Sequence, residues 1–292
     1  LANIFSDHAD WTDNAAMSTP HTSSQTLAFI GGGNMASAII GGLIQQGTPA
    51  HQIVAVEPFE ATRQQLEAKF QIRTLPQASP ALQEAGLVIW AVKPQVFKEA
   101  AHVAQAFCQQ ALHLSVAAGI RSDSIATWLG TQRVVRAMPN TPALVGLGQT
   151  GLFARPSVSA ADQTWIERVV ATTGQYLWVQ EEALLDAVTA ISGSGPAYVF
   201  FFIEAMVEAG VKMGLTEAQA HQLAVGTFVG ASELARSANE SPAILRERVT
   251  SQGGTTHAAI TAMQDAKLPS LFQAALEAAR ARAHELGDAF GS

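Results

Sequence analysis

The sequence predicts an α/β domain built on a doubly wound parallel sheet, followed by a second domain made only of helices. Three observations carry that prediction. A glycine-rich turn joins the first apolar run to the first helical pattern, short β-type runs alternate with helical segments to about residue 180, and no strand pattern recurs after Glu181. At 292 residues the chain is long enough for two ordinary domains with full cores.

Residues 1 to about 25 are polar and lack the apolar core of a signal peptide. They read as a flexible leader or appended arm, with Met17 a candidate start. The first strand is Leu27-Ala28-Phe29-Ile30. Gly31-Gly32-Gly33-Asn34-Met35-Ala36 follows it and opens a helix over 35–46, where Ala, Ile and Leu recur at spacings of three and four. In such a strand, turn and helix, Gly31 permits the sharp turn and Gly33 lets the backbone approach a pyrophosphate. Ala36 takes the third place of G-x-G-x-x-G/A, where the helix must pack closely on the strand. The helix N-terminus then turns unpaired N–H groups toward the phosphates. Three glycines after a strand can also be only a tight connection; their place between strand and helix favours a dinucleotide site on a Rossmann-type sheet.

Further strands are expected over 53–56, 87–92, 112–116 and 133–138, separated by helical stretches such as 61–70 and 95–106. This alternation implies parallel strands with helices on both faces. Leu87-Val88-Ile89-Trp90-Ala91-Val92 is continuously apolar, as a central strand buried on both sides should be, and Lys93-Pro94 ends it. A strand at 151–154, a helix at 160–173 and a last strand at 176–179 complete a dinucleotide-binding domain over 26–180.

From 181 to 292 the expected helices cover about 182–192, 195–213, 216–237, 242–249, 254–264 and 270–286. Thr216 with Gln219 gives an N-cap and its capping-box partner, and Ser241-Pro242 gives an N-cap with Pro in the first turn. Stretches 196–203 and 223–229 carry apolar residues around much of the helix circumference, so they need burial on more than one face, and a partner subunit is expected there.

Composition narrows the function. Hydrophobic residues make up 48% and charged residues 14%, which suits a globular protein with much buried helix. A net charge of −7 and the lack of any Lys/Arg cluster give no electrostatic footprint for nucleic acid. Cys108 is the one cysteine, so no intrachain disulfide forms and a reducing cytoplasm fits. Eight scattered histidines show no metal-binding spacing, and no metal is expected. No apolar run approaches the roughly 20 residues that span a bilayer, so no membrane segment is expected either.

Several short motifs fall where such a sheet binds ligands. Glu57 follows the second strand, about 20 residues past the glycine turn, where an acidic group bonds the adenosine ribose hydroxyls of NAD. A solvated turn residue is the competing reading. Arg63, six residues on, offsets that charge for a 2′-phosphate if the loop folds back. Val92, Lys93 and Pro94 sit at the carboxyl end of a central strand, where Lys93 either faces the cofactor or is a solvated lysine. Asn140 and Thr141, between Pro139 and Pro142, either place donors near a nicotinamide or belong to a rigid structural turn. Ser192-Gly193-Ser194-Gly195-Pro196 is either a pocket-closing loop or a flexible connection with its cap. Ser251-Gln252-Gly253-Gly254-Thr255-Thr256-His257 precedes a helix; small residues there expose successive N–H groups to a carboxylate, and an ordinary capped turn is the plain alternative.

With these residues in hand, the chain resembles the pyrroline-5-carboxylate reductases over about residues 27–288. The resemblance is carried by Phe29-Ile30-Gly31-Gly32-Gly33-Asn34-Met35, Ala91-Val92-Lys93-Pro94-Gln95, Arg136-Ala137-Met138-Pro139-Asn140-Thr141-Pro142 and Ser192-Gly193-Ser194-Gly195-Pro196-Ala197-Tyr198. Most specific is Val249-Thr250-Ser251-Gln252-Gly253-Gly254-Thr255-Thr256. What it implies is reduction of the cyclic imine of 1-pyrroline-5-carboxylate to L-proline, with NADP(H) or NAD(H), in a homodimer or higher homo-oligomer. The all-α domain becomes a substrate-binding and dimerisation domain.

Carried over by position, Gly31, Gly32, Gly33, Asn34, Met35 and Ala36 resemble the pyrophosphate site. Glu57, Val92, Lys93, Pro94, Asn140 and Thr141 resemble the cofactor walls. Ser251, Gly254, Thr255 and Thr256 resemble the substrate loop, with the Thr256 hydroxyl near the ring nitrogen. Two departures stand out: Ala36 replaces a common Gly, and Glu57 stands where members preferring NADPH often have a small or hydroxyl residue. A protonated imine already accepts hydride, so the implied catalysis is by orientation, with the reacting carbons held within ~3–3.5 Å. A β-hydroxyacid dehydrogenase would need a helical Lys followed four residues later by Asn; Lys212 is followed at that distance by Thr216. A non-catalytic nucleotide sensor is disfavoured by the intact substrate loop.

Overall fold

A computed structural model describes residues 26–291, so the expected leader over 1–25 lies outside the described residues. The strands are β1 (Thr26–Ile30), β2 (Ile53–Val56), β3 (Arg73–Leu75), β4 (Ala85–Trp90), β5 (Leu112–Ser115), β6 (Val134–Met138), β7 (Gly148–Ala154) and β8 (Gly174–Trp178). They form one sheet in the order β3-β2-β1-β4-β5-β6-β7-β8. The helices between them are α1 (Asn34–Gln45), α2 (Glu60–Phe70), α3 (Pro94–Cys108), α4 (Ser122–Leu129) and α5 (Ala160–Ala171).

The strands read as unbroken apolar runs because successive side chains enter two different cores. Leu27, Phe29, Leu87 and Ile89 face α1, α2 and α5. Ala28, Ile30, Val88 and Trp90 face α3 and α4. The order reverses between β1 and β4, and the loops leaving those two strands open on the same carboxyl edge.

The expected parallel pairing holds from β3 through β6, and the strands beyond depart from it. β7 runs antiparallel to β6, with Met138 opposite Gly151, while β8 is parallel to β7. The cause is the connection: residues 139–147 hold only a 3₁₀ turn (Thr141–Val145), too short for the crossover that a parallel neighbour requires. Two elements went unread. β3 is a three-residue edge strand with no apolar alternation, and α4 is a short helix that opens Ser-Asp-Ser. Ala91 and Val92 also leave the strand, since β4 stops at Trp90.

Beyond the sheet lie α6 (Leu184–Val188), a π-helical turn (Thr189–Gly193), α7 (Gly195–Lys212), α8 (Glu217–Ser237), α9 (Pro242–Arg248), α10 (Thr255–Asp265) and α11 (Leu268–Phe290). The capping box forms as read: Thr216 Oγ1 accepts the Gln219 N–H, and Gln219 Oε1 accepts the Thr216 N–H. The glycine-rich connection at 192–196 is not a loose loop, because the π turn carries α6 directly into α7. That corrects the membrane argument: Leu184–Lys212 is one 29-residue helical run whose most apolar 18-residue stretch has a mean hydropathy of 1.4, long and apolar enough to span a bilayer by length and composition. In this chain the run lies at the surface, with Phe200 64% and Phe201 67% exposed. The last helix outruns the expected 270–286, and its end returns to the sheet domain, where Leu286 and Phe290 pack against Gly119.

One buried group makes the sheet domain acid-sensitive. His113 on β5 accepts the Trp90 indole N–H at Nδ1 (3.0 Å) and donates from Nε2 to the Cys108 carbonyl (3.1 Å). Burial lowers its pKa from 6.5 to about 4. The unfolded chain therefore takes up a proton that the folded chain refuses, so this stability is whole above about pH 6.5 and drains as the pH falls toward 4, by on the order of 3 kcal/mol. His113→Gln should flatten the dependence of the urea midpoint on pH across that window. Parallel wild-type and variant curves there would refute the assignment.

Candidate cofactor and substrate site

The glycine turn is wedged between the ends of β2 and β4. The Gly31 N–H donates to the Val56 carbonyl and the Ala91 N–H to the Ile30 carbonyl, each at 2.8 Å. Gly31 has φ +100°, and a Cβ on it would lie 2.6 Å from the Ala91 carbonyl oxygen. Both facts require glycine. Gly33 is the N-cap of α1, with no side chain bonded to the first-turn N–H groups, and a methyl there would meet no described atom within 4 Å. Ala36 is buried in the α1-side core, as the close helix–strand contact demands. A bare helix N-terminus behind a cradle that side chains would fill fits the diphosphate of a dinucleotide.

Glu57 is 7% exposed, which removes the solvated-turn reading. Its Oε2 accepts the Gly32 N–H at 2.9 Å and its Oε1 the Phe59 N–H at 3.0 Å. The carboxylate thus braces the glycine turn from the end of β2. Arg63 does fold back: its Nη1 donates to the Glu57 and Pro58 carbonyls at 3.0 and 2.8 Å. An anion and a cation therefore meet where an adenosine ribose would lie in such a fold.

Val92 lines the turn, with its Cγ1 3.0 Å from where a Gly31 Cβ would sit. Lys93 is exposed as the N-cap residue of α3, and Pro94 is the first residue of that helix. Thr141 is exposed at the start of the 3₁₀ turn. Asn140 differs from the expectation of a donor aimed at the nicotinamide. It is buried, its Nδ2 donates to the Ser192 carbonyl at 3.1 Å, and its Oδ1 accepts the Gln149 N–H at 2.9 Å.

The second motif also ends in a bare helix N-terminus. Gly254 is the N-cap of α10 without a side-chain cap, and Thr255 and Thr256 are its first two residues. Gly253, at φ +73°, turns the chain into it. Among the described residues the hydrogen bonds of this loop are local, such as the Gly254 N–H to the Ser251 carbonyl at 3.0 Å. Ser251 is exposed and Thr256 half-buried. The structure thus gathers the loops after β1, β2, β4 and β6 at one edge, and holds Ser251 to Thr256 apart on the helical domain.

Sequence reasoning missed a joint between the domains. Glu182 accepts the Ser122 N–H (2.6 Å), the Ser122 hydroxyl (2.5 Å) and an Arg136 N–H (3.0 Å). The available signal was Arg136 itself, a cation inside an apolar strand that must have a partner.

Residues 182–286 match the family described as pyrroline-5-carboxylate reductase dimerisation, and residues 26–119 match NADP oxidoreductase coenzyme F420-dependent. A pyrroline-5-carboxylate reductase of Pseudomonas aeruginosa is 44% identical over 277 residues, covering 94% of this chain and 100% of that protein. The structure of a pyrroline-5-carboxylate reductase from Coxiella burnetii superposes with a TM-score of 0.84 at 36% identity, over 90% of this chain and 98% of that one. A Plasmodium falciparum pyrroline carboxylate reductase with NADP bound shares the fold, with a TM-score of 0.81 at 24% identity over 90% and 98% of the two chains.

Proposed function

The chain belongs to the pyrroline-5-carboxylate reductase family, and on that premise we propose that it reduces 1-pyrroline-5-carboxylate to L-proline with NAD(P)H, the last step of proline biosynthesis. The observation that carries the reading is the pair of uncapped helix N-termini. One lies behind Gly31-Gly32-Gly33 at the start of α1, and the other behind Gly253-Gly254 at the start of α10. Each offers backbone N–H groups to an anion, the first to a pyrophosphate and the second to a carboxylate.

Gly31 to Ala36 hold the diphosphate, Glu57 and Arg63 face the adenosine ribose, and Val92, Lys93, Pro94 and Thr141 wall the nicotinamide end. Ser251, Gly254, Thr255 and Thr256 hold the substrate carboxylate and ring nitrogen. The reduced cofactor, when bound, supplies the hydride that adds to the imine carbon. The substrate reacts as the protonated imine, so the C=N π pair moves to a nitrogen that already carries its proton, and the Thr256 hydroxyl hydrogen-bonds that nitrogen as it becomes an amine. No side-chain acid is assigned. Among the described residues, the two groups pushed far from ordinary values, His113 down to about 4 and Cys108 up to about 11, lie in the core beneath α3 rather than at this edge.

The exposed apolar faces of α7 and α8 fall within the stretch matched to dimerisation, so a second copy covers them and the protein works as a homodimer or higher homo-oligomer. Among the described residues the 251–256 loop makes local hydrogen bonds, and on this reading a second copy completes its pocket. On this reading 26–180 bind the cofactor and 181–292 the substrate and partner, in the cytoplasm, where a fold whose one cysteine is buried and unpaired needs no oxidant.

The test is NADH and NADPH oxidation followed in parallel, with and without racemic 1-pyrroline-5-carboxylate. Substrate-dependent oxidation is expected, and its absence with both cofactors sinks the assignment. Thr256→Ala removes one hydrogen bond worth about 0.5–1.5 kcal/mol and should slow turnover roughly 2- to 13-fold. A loss of about 10⁵-fold in a folded variant would instead demand a proton-transfer role for Thr256.

A further inference from the structure

We propose that Asn140 is a positioning residue, a latch that fixes the angle at which the helical domain leaves the cofactor edge of the sheet. The proposal rests on the functional reading above, because that angle matters only if hydride passes between ligands held on the two domains.

The latch is one point of a joint made from six residues. On the sheet side stand Met138 at the end of β6, Asn140 just past it, and Gly151 on β7, directly opposite Met138. On the helix side stand Val188 at the end of α6, and Ser192 and Gly193 in the π turn. A Cβ on Gly151 would lie 2.7 Å from Val188 Cγ1, and one on Gly193 would lie 2.5 Å from Met138 Cε, so both glycines admit the opposing side chain. Asn140 bonds both sides at once, through the Gln149 N–H on β7 and the Ser192 carbonyl in the turn.

The π turn explains why such a latch is needed. It runs into Pro196, which has no N–H to give the Ser192 carbonyl four residues back, and that carbonyl is bonded from outside the helix by the Asn140 amide. The Ser192 hydroxyl is itself spent on the Val188 carbonyl at 3.1 Å, so it cannot replace that amide. α7 starts at Gly195, three residues after Ser192, and carries the apolar faces that a second copy covers. A change of tilt at this turn therefore moves the assembled substrate loops relative to the glycine cradle. Hydride transfer tolerates little such movement, since misplacement by about 1 Å can cost on the order of 100-fold in rate.

Asn140→Asp keeps the acceptor for the Gln149 N–H and replaces the donor facing Ser192 with a second oxygen; Asn140→Ala removes both bonds. Three readouts are taken: NADPH affinity by calorimetry, kcat and KM for racemic 1-pyrroline-5-carboxylate, and amide hydrogen exchange over residues 189–196. For Asn140→Asp the expected result is NADPH affinity within about twofold of wild type, kcat lower by on the order of 10- to 100-fold, and faster exchange at 189–196. Should Asn140→Ala fail to fold, Asn140→Asp carries the test alone. Unchanged exchange overturns the latch. Unchanged kcat overturns its positioning role, as does weaker NADPH binding at unchanged kcat, which would make Asn140 a direct cofactor contact. If the wild type oxidises neither cofactor in the presence of substrate, the functional reading fails, and the exchange measurement still decides the latch.

Discussion

Gly31→Ala should abolish reductase activity and weaken NADPH binding by at least about 100-fold, equivalent to roughly 2.7 kcal/mol. The methyl would be placed 2.6 Å from the Ala91 carbonyl oxygen and 2.9 Å from its carbon, both backbone atoms. Neither can yield easily, because Ala91 is hydrogen-bonded to Ile30 and Gly31 itself to Val56. The positive φ adds strain of about 1–3 kcal/mol for any other residue. Relief requires the turn to move, and the cradle in front of α1 moves with it. Gly33→Ala is the informative partner variant. Its methyl meets no described atom within 4 Å, and the φ of −72° suits alanine, so the fold should be untouched. NADPH should nevertheless bind on the order of 10-fold more weakly, because the methyl projects where the pyrophosphate approaches the backbone. Calorimetric titration with NADPH beside a thermal melt separates the two cases. If Gly31→Ala bound NADPH within threefold of wild type, or Gly33→Ala lost stability but not affinity, the glycine turn would not be the cofactor cradle.

That contrast also marks how much was legible in the sequence. Gly31, Gly33 and Ala36 could be assigned separate tasks because each answers to local geometry: one turn, one helix start, one contact with the preceding strand. The strands were legible because Leu27 to Ile30 and Leu87 to Trp90 fill two cores by simple alternation. The direction of β7 was not, since it follows from how short the link after Met138 is, and hydrophobic pattern carries no sign of direction. Glu57 was located correctly as a charge at the end of β2, yet its bonds to the Gly32 and Phe59 N–H groups depend on how two loops meet. Asn140 was noticed for its setting between prolines, but its partner Ser192 lies 52 residues away and contributes a carbonyl that any residue type would supply. Contacts made by side chains to distant backbone leave no pattern to read.

Glu182→Ala should be the most destabilising single substitution at the joint, costing about 3 kcal/mol and lowering the melting temperature by on the order of 10 °C. The Arg136 side chain is 5% exposed and the Glu182 side chain 21%, so the pair is largely withdrawn from water. Removing the carboxylate leaves the guanidinium inside the sheet domain without its counter-charge, which is worse than never having buried the pair. It also uncaps α4, because Arg121 at the N-cap gives no side-chain bond and Glu182 takes the Ser122 N–H instead. Glu182→Gln keeps an acceptor for that N–H and loses only the charge, so its cost should fall between wild type and alanine. The paired change of Arg136→Met with Glu182→Leu should recover most of the loss, since two apolar groups in contact need no counter-charge. Activity per folded molecule at 25 °C should change little in Glu182→Gln, because Glu182 braces the N-terminus of α4 rather than the loops after β1, β2 and β4. Thermal melts of the four proteins decide the matter. An alanine variant melting within about 2 °C of wild type would mean that water screens the pair and that the docking of α11 on Gly119 holds the domains together. The expected order, with the double variant above the alanine one, would instead place Arg136 apart from the rest of its Arg-Ala-Met-Pro-Asn-Thr-Pro motif. Its charge would serve the seam between the domains, while Asn140 four residues on serves the edge where the reactants meet.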